Sequence, residues 1–149
     1  DGEWIAAVDV FSAWAQAFIV RSDGSERREI GEGLRSSNHP AWSPDGRRIA
    51  FAGAAEPAPS PNDFPVAGIF VFDLASGERR SLTSGSPSPA LFPIITFSRD
   101  GEHIFYTADA PPCREGCPPG RLFAVDAEGN DAPRKLTDAL VSEMLSWQP

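Results

Sequence analysis

Trp42-Ser43-Pro44-Asp45-Gly46-Arg47-Arg48-Ile49-Ala50-Phe51 reads as the end of one strand, a tight turn and the start of the next. The turn chemistry sits in Asp45-Gly46. Glycine accepts a positive φ at no steric cost, and the aspartate can bond neighbouring backbone amides. The same string recurs as Phe97-Ser98-Arg99-Asp100-Gly101-Glu102-His103-Ile104-Phe105-Tyr106. Internal recurrence decides the fold, so it is followed outward before anything else.

A second element follows each turn: an apolar strand, a turn containing glycine and a polar strand. It reads Phe18-Ile19-Val20-Arg21-Ser22-Asp23-Gly24 then Glu26-Arg27-Arg28-Glu29-Ile30. It returns as Ile69-Phe70-Val71-Phe72-Asp73 then Gly77-Glu78-Arg79-Arg80-Ser81-Leu82-Thr83, and as Leu122-Phe123-Ala124-Val125-Asp126 then Arg134-Lys135-Leu136-Thr137. The polar strand suits the outer edge of a sheet, where charge discourages edge pairing. The chain opens on Asp1-Gly2-Glu3-Trp4-Ile5-Ala6 and closes on Leu145-Ser146-Trp147-Gln148-Pro149, the two halves of one further motif. Repeats therefore run approximately 1–44, 45–99 and 100–149, within one segment covering 1–149. A start at Asp1 without a methionine or signal peptide fits a processed or excised piece.

This pattern, W-S-P-D-G-x-x-I-A-F followed by an apolar strand, a glycine turn and an L-T ending, resembles the TolB-like β-propeller repeat. The resemblance covers nearly the whole chain; 53–67 and 107–120 are insertions. It implies an all-β fold of three four-stranded blades, with strands A to D running outward from a central axis. Strand A falls at 39–43, 91–98 and 141–147, and strand B at 3–9, 47–53 and 102–108. Strand C falls at 17–22, 68–73 and 121–126, and strand D at 26–31, 78–83 and 133–137. That makes twelve strand segments, with the first blade taking only B to D from the N-terminus. Propellers have four to eight blades. Three blades are thus half of a six-bladed ring or a piece of a longer propeller, completed by self-association or by further blades.

Composition agrees. The 149 residues suit one domain, and 41% hydrophobic with 23% charged residues allows a core. Gly (13) and Pro (15) make frequent turns. A net charge of −8 argues against nucleic acid and against an anionic membrane surface. No stretch reaches the ~18 apolar residues of a membrane helix.

The sequence carries no G-x-S-x-G, H-E-x-x-H or G-x-x-x-x-G-K-[ST] motif. Similar propellers precede the hydrolase domain of some serine peptidases; these 149 residues hold no such domain, so the chain as given is not expected to be a peptidase. Cys113 and Cys117 sit in a Pro-rich insertion and are expected to form a local disulfide. That pairing points to an oxidising compartment, and the resemblance likewise implies a periplasmic or extracellular protein. Asp73 and Asp126, ending strand C, are read as turn residues rather than calcium ligands. Trp4, Trp42, Trp147 and Phe97 are read as blade-to-blade core.

The expected function is a non-catalytic protein-interaction scaffold without cofactor or metal. In a propeller the B–C and D–A loops share one face. Here these are 10–16, 54–67 and 108–120, and 32–38, 84–90 and 138–140. Loops on a rigid scaffold commonly bind, with exposed aromatics as anchors. The candidate residues are Phe11, Trp14, Arg35, His39, Phe64 and Arg114. Two other readings stand beside this one: a lactonase- or lyase-type enzyme with a channel metal, and a structural subunit of a larger assembly. A channel metal needs converging ligands, and the inner strands offer mostly Ala41, Trp42, Ser43, Ile94, Ile95, Thr96, Met144, Leu145 and Ser146. Only Asn38, His39 and Glu143 could contribute.

Overall fold

The computed structural model describes residues 2–11, 14–54, 67–83, 93–109 and 120–141. They hold eleven strands and no helix: β1 (Trp4–Phe11), β2 (Trp14–Arg21), β3 (Arg27–Glu29), β4 (Ser36–Trp42), β5 (Arg48–Ala54), β6 (Ala67–Asp73), β7 (Arg79–Ser81), β8 (Ile95–Phe97), β9 (His103–Ala108), β10 (Gly120–Asp126) and β11 (Arg134–Val141). The strands form three antiparallel sheets in chain order: sheet 1 is β1-β2-β3, sheet 2 is β4-β5-β6-β7 and sheet 3 is β8-β9-β10-β11. Each sheet is thus a meander, the arrangement that successive hairpin signals specify. The inner strands converge, with β4 contacting β1 and β2 on one side and β8 on the other.

Several expected loops are strand. Residues 10, 11 and 14–16 pair within β1 and β2. Residues 36–38 begin β4, and 138–140 lie in β11, whose pairing with β10 shifts between Arg121 and Phe123. Of the expected innermost strand 91–98, the described residues 93–98 hold β8 at Ile95–Phe97. The twelfth expected segment falls, apart from Val141, outside the described residues.

Period-two alternation builds the core. In β5, Ile49 and Phe51 face sheet 1 and join Ala17, Ile19, Ile30, Leu34 and Phe72, with Trp4 and Trp42 packed alongside. Ala50 and Ala52 face the other way, joining Ile69, Val71, Phe97, Ile104, Tyr106, Phe123 and Val125 of the sheet 2–sheet 3 contact. Sheet 2 is therefore apolar on both faces, and a one-residue slip of β5 would exchange alanines for Ile49 and Phe51 on each. Ile49, Phe51, Ile104 and Tyr106 are all 0% exposed. Burial of each side chain contributes roughly 1.5–3 kcal/mol.

The repeated turns hold their shape by the same bonds. Ser43 Oγ donates to Asp45 Oδ1 at 2.6 Å, the Arg47 amide donates to the same oxygen at 3.1 Å, and the Arg48 amide donates to Ser43 Oγ at 2.9 Å. Ser98, Asp100, Glu102 and His103 repeat this set. Gly46 and Gly101 adopt φ of 69° and 76°, which is why glycine follows each aspartate. At the other turn, Asp73 Oδ1 accepts from the amides of Ala75 and Ser76, and Asp126 Oδ1 from those of Glu128 and Asn130. Asp73 and Asp126 are turn residues, as their sequence position implied.

Candidate functional site

Strands β1 and β2 pair along their whole length, ending with Phe11 opposite Trp14. Directly opposed residues share a face, so the two rings stack, with centroids 4.0 Å apart and planes 20° from parallel. The pair remains open to solvent, Phe11 44% and Trp14 41% exposed, beside Val10 at 81%. Stacking against each other covers only one side of each ring. Apolar surface left this accessible on a rigid hairpin is a feature of interaction sites.

The β2 side of this same end of the hairpin is tied to β4 and the residues before it. The Ala15 amide donates to Ser36 Oγ at 3.1 Å and the Ala17 amide to Ser37 Oγ at 2.8 Å. Gln16 Nε2 donates to the Leu34 carbonyl at 3.2 Å. The exposed Arg35 is held by its amide, which donates to the Ala54 carbonyl at 2.8 Å. Phe11, Trp14 and Arg35 are thereby brought to one end of the sheets. Register adds something absent from the sequence reading. Alternation along β1 puts Ile5, Ala7 and Phe11 on the side turned away from sheet 2, together with Phe18, which pairs with Ala7. The aromatic pair is the top of a sheet face, not part of a loop.

His39 lies deeper, where β4–β5 register is interrupted between Asn38 and Ala41, and takes a φ of 53°. It is half-buried, and that burial pushes its pKa below the usual 6.5, favouring the neutral ring. Beside it, Asn38 Oδ1 is buried without a hydrogen-bond partner among the described residues, as is the Tyr106 hydroxyl. Asn38 pairs with Ala52, so it shares the face that sheet 2 turns toward Tyr106. The sequence offered Asn38 as a channel residue and Tyr106 as the end of a motif strand, but only the register reveals that both orphan groups border one sheet contact. Phe64, Arg114, Cys113 and Cys117 lie outside the described residues.

The opposite end of the sheets carries charge. Ligand atoms of Asp100, Glu102 and His103, all exposed, lie within 4.8 Å of one another. Asp100 Oδ1 already accepts from the Ser98 hydroxyl and the Glu102 amide, which hold its pKa below the usual carboxylate range. Between sheets 2 and 3 runs an open groove of about 600 Å³ lined by Arg48, Arg79, Arg80 and Glu128 among others. There Glu128 bridges Arg48 and Arg80, each at 2.7 Å. Arg48 Nη2 also donates to the Gly101 carbonyl at 2.9 Å, so the guanidinium ties the two sheets together.

No family model matches the chain. A relative among characterised proteins, dipeptidyl-peptidase 5 of Porphyromonas endodontalis, is 33% identical over 98 residues, 65% of this chain and 12% of that protein. A TolB-type protein of Agrobacterium tumefaciens superposes with a TM-score of 0.68 at 24% identity, over 93% of this chain and 44% of its own. TolB from Acinetobacter baumannii gives 0.65 at 21%, over 95% and 32%. An oligogalacturonate lyase in complex with manganese gives 0.58 at 21%, over 91% and 33%. The chain thus spans less than half of each of these proteins. The fold is that of a TolB-like β-propeller.

Proposed function

We propose that this TolB-like propeller segment is a non-catalytic protein-interaction scaffold of the periplasm or extracellular space, with further blades completing its ring. The observation that carries the reading is the stacked, solvent-open Phe11–Trp14 pair, held rigid by β4 beside Arg35. Aromatic anchors on a preorganised frame bind without a large ordering cost, which is the usual chemistry of interaction hot spots. His39 is part of the same proposal as a neutral hydrogen-bonding group, and Phe64 and Arg114 enter it on their sequence position alone. A disulfide between Cys113 and Cys117 is proposed as part of this extracytoplasmic reading.

The test immobilises the protein and measures what it retains from a periplasmic or secreted extract of its source. Phe11→Ala with Trp14→Ala should lower specific retention at least about tenfold, as loss of ~1.4 kcal/mol or more at a hot spot requires. Its melting temperature should change little. Unchanged retention by a folded variant would sink the reading.

A second reading, a propeller enzyme, is favoured by the likeness to the manganese-bound lyase. Turnover of an oligogalacturonate by this chain with Mn²⁺ would replace the scaffold reading with that one.

A further inference from the structure

We infer that the Phe11–Trp14 end of sheet 1 binds an arginine side chain of a protein partner, its guanidinium stacked on an open ring face and bonded to Asp9. The inference rests on the interaction reading above and names the chemistry of the partner.

The same face already holds one arginine in this way. Alternation along β1 puts Asp9 on the side that carries Ala7 and Phe11, and Phe18 shares it. Arg27 reaches this side from β3. Its guanidinium carbon lies 3.8 Å from the Phe18 ring centroid, and its Nη2 donates to Asp9 Oδ2 at 2.7 Å. One cation thus takes a ring face and a carboxylate oxygen together. Guanidinium stacking recurs through the chain: Arg21 and Arg28 lie over Trp4 at 4.7 and 4.8 Å, Arg79 over Phe70 at 5.6 Å and Arg48 over Phe97 at 5.7 Å. The ring face is electrostatically negative and the guanidinium is weakly hydrated, so the contact is favourable even where water competes. Among the described residues no cation lies over Phe11 or Trp14, although each ring keeps one uncovered face. Asp9 stands two residues before Phe11, and its Oδ1 accepts no hydrogen bond among the described residues. An open ring and a free carboxylate oxygen are the two halves of the site that Arg27 fills further down the same face.

Close packing of another blade does not suit this level of the face. Eight residues after the motif aspartates stand Asp9, Gly53 and Ala108. In sheet 2 that position is pressed against sheet 1: a Cβ on Gly53 would lie 2.6 Å from Leu34 Cδ1. In sheet 3 it is Ala108, 0% exposed in the contact with sheet 2. Blade packing at this height takes glycine or alanine and penalises a charge. Asp9, its side chain 39% exposed, suits a cation brought from outside. Charge favours the same partner. The chain carries −8 overall, which speeds the approach of a basic segment. In the strands and the β3–β4 connection beside the pair, Asp9, Glu29 and Glu32 outnumber Arg27 and Arg35. Arg35 belongs to the β2 side, where Ser36 bonds Ala15, and Asp9 to β1.

The probe is a short fluorescent Gly/Ser peptide bearing arginines, compared by anisotropy with copies bearing lysines, leucines or glutamates in their place. The arginine peptide should bind tightest, about fivefold ahead of the leucine copy, as an exposed cation–π contact allows. Phe11→Leu with Trp14→Leu keeps the apolar surface and removes the ring faces; it should weaken the arginine peptide about fivefold and leave the leucine copy unchanged. Asp9→Asn should weaken the arginine peptide by a similar factor, with the melting temperature little altered because its ion pair with Arg27 is exposed. A leucine copy that binds as tightly as the arginine peptide would overturn this inference and leave the interaction reading standing, since that reading is judged by retention with Phe11→Ala and Trp14→Ala. No binding of the arginine peptide, or binding indifferent to Asp9→Asn, would also overturn it. So would loss of that binding in a chain carrying the further blades, which would give the site to a neighbouring blade. Attachment to phosphatidylcholine vesicles that Phe11→Ala with Trp14→Ala removes would assign the pair to lipid and overturn it likewise.

Discussion

Ser37→Ala is expected to destabilise the protein by about 2 kcal/mol, although it removes one oxygen atom. Strand β3 ends at Glu29, and just beyond it the Ile30 amide still donates to the Ala17 carbonyl at 3.1 Å, but no backbone carbonyl among the described residues there accepts the Ala17 amide. The Ala17 amide, at a residue 0% exposed, would be left without a ladder partner there. Ser37, also 0% exposed, supplies one: its Oγ accepts that amide at 2.8 Å and donates to Gln16 Oε1 at 3.3 Å. Alanine leaves the Ala17 N–H buried and unpaired, which costs about 1–3 kcal/mol, and no water can reach a site so enclosed. The neighbouring bond from Ala15 to Ser36 Oγ is only half-buried at 3.1 Å, so Ser36→Ala should cost about 0.5–1 kcal/mol. Urea titration followed by tryptophan fluorescence measures both, and a 2 kcal/mol loss corresponds to about 4–8 °C in Tm at this size. Space cannot rescue the variant by collapse, because a Cβ on Gly31 would lie 2.6 Å from Ser37 Cβ and the backbones are already in close approach. Ser37→Ala within 0.5 kcal/mol of the wild type, or equal to Ser36→Ala, would refute the assignment of Ser37 as the cap of β2.

Two further outcomes follow from other buried or turn groups. Tyr106→Phe removes a hydroxyl that has no partner among the described residues and whose pKa is raised chiefly by burial; stability should stay equal or rise by up to about 1 kcal/mol, and a larger loss in urea titration would reveal a bonding partner. Asp45 and Asp100 are held below the usual carboxylate value of 3.8 first by the Ser43 and Ser98 hydroxyls, so their stabilisation is present above that pH and is lost as pH falls through their lower folded pKa values. The double variant Asp45→Asn/Asp100→Asn should therefore lose less stability than the wild type between pH 5 and about pH 2, read as the change in urea midpoint, and an unchanged acid limb would refute the role of the two carboxylates.

The repeat was legible because its decisive residues act locally. Asp45-Gly46 and Asp100-Gly101 each dictate a turn by chemistry contained in a few residues, and the alternation after them assigns strand faces at once. What lay beyond the sequence depends on where strands stop. The segment 10–16 looks like a connection, since Ser12 and Ala13 break the apolar pattern, yet pairing continues to Phe11 and Trp14 because ring stacking across the hairpin rewards the last rung. Residues 36–38 look polar and loop-like for a related reason: Ser36 and Ser37 are polar because they finish the hydrogen bonding of β2 rather than because they face water. Asn38 and Tyr106 were invisible as a pair, since 68 positions of chain separate them and only the β4–β5 and β8–β9 registers turn both toward one contact.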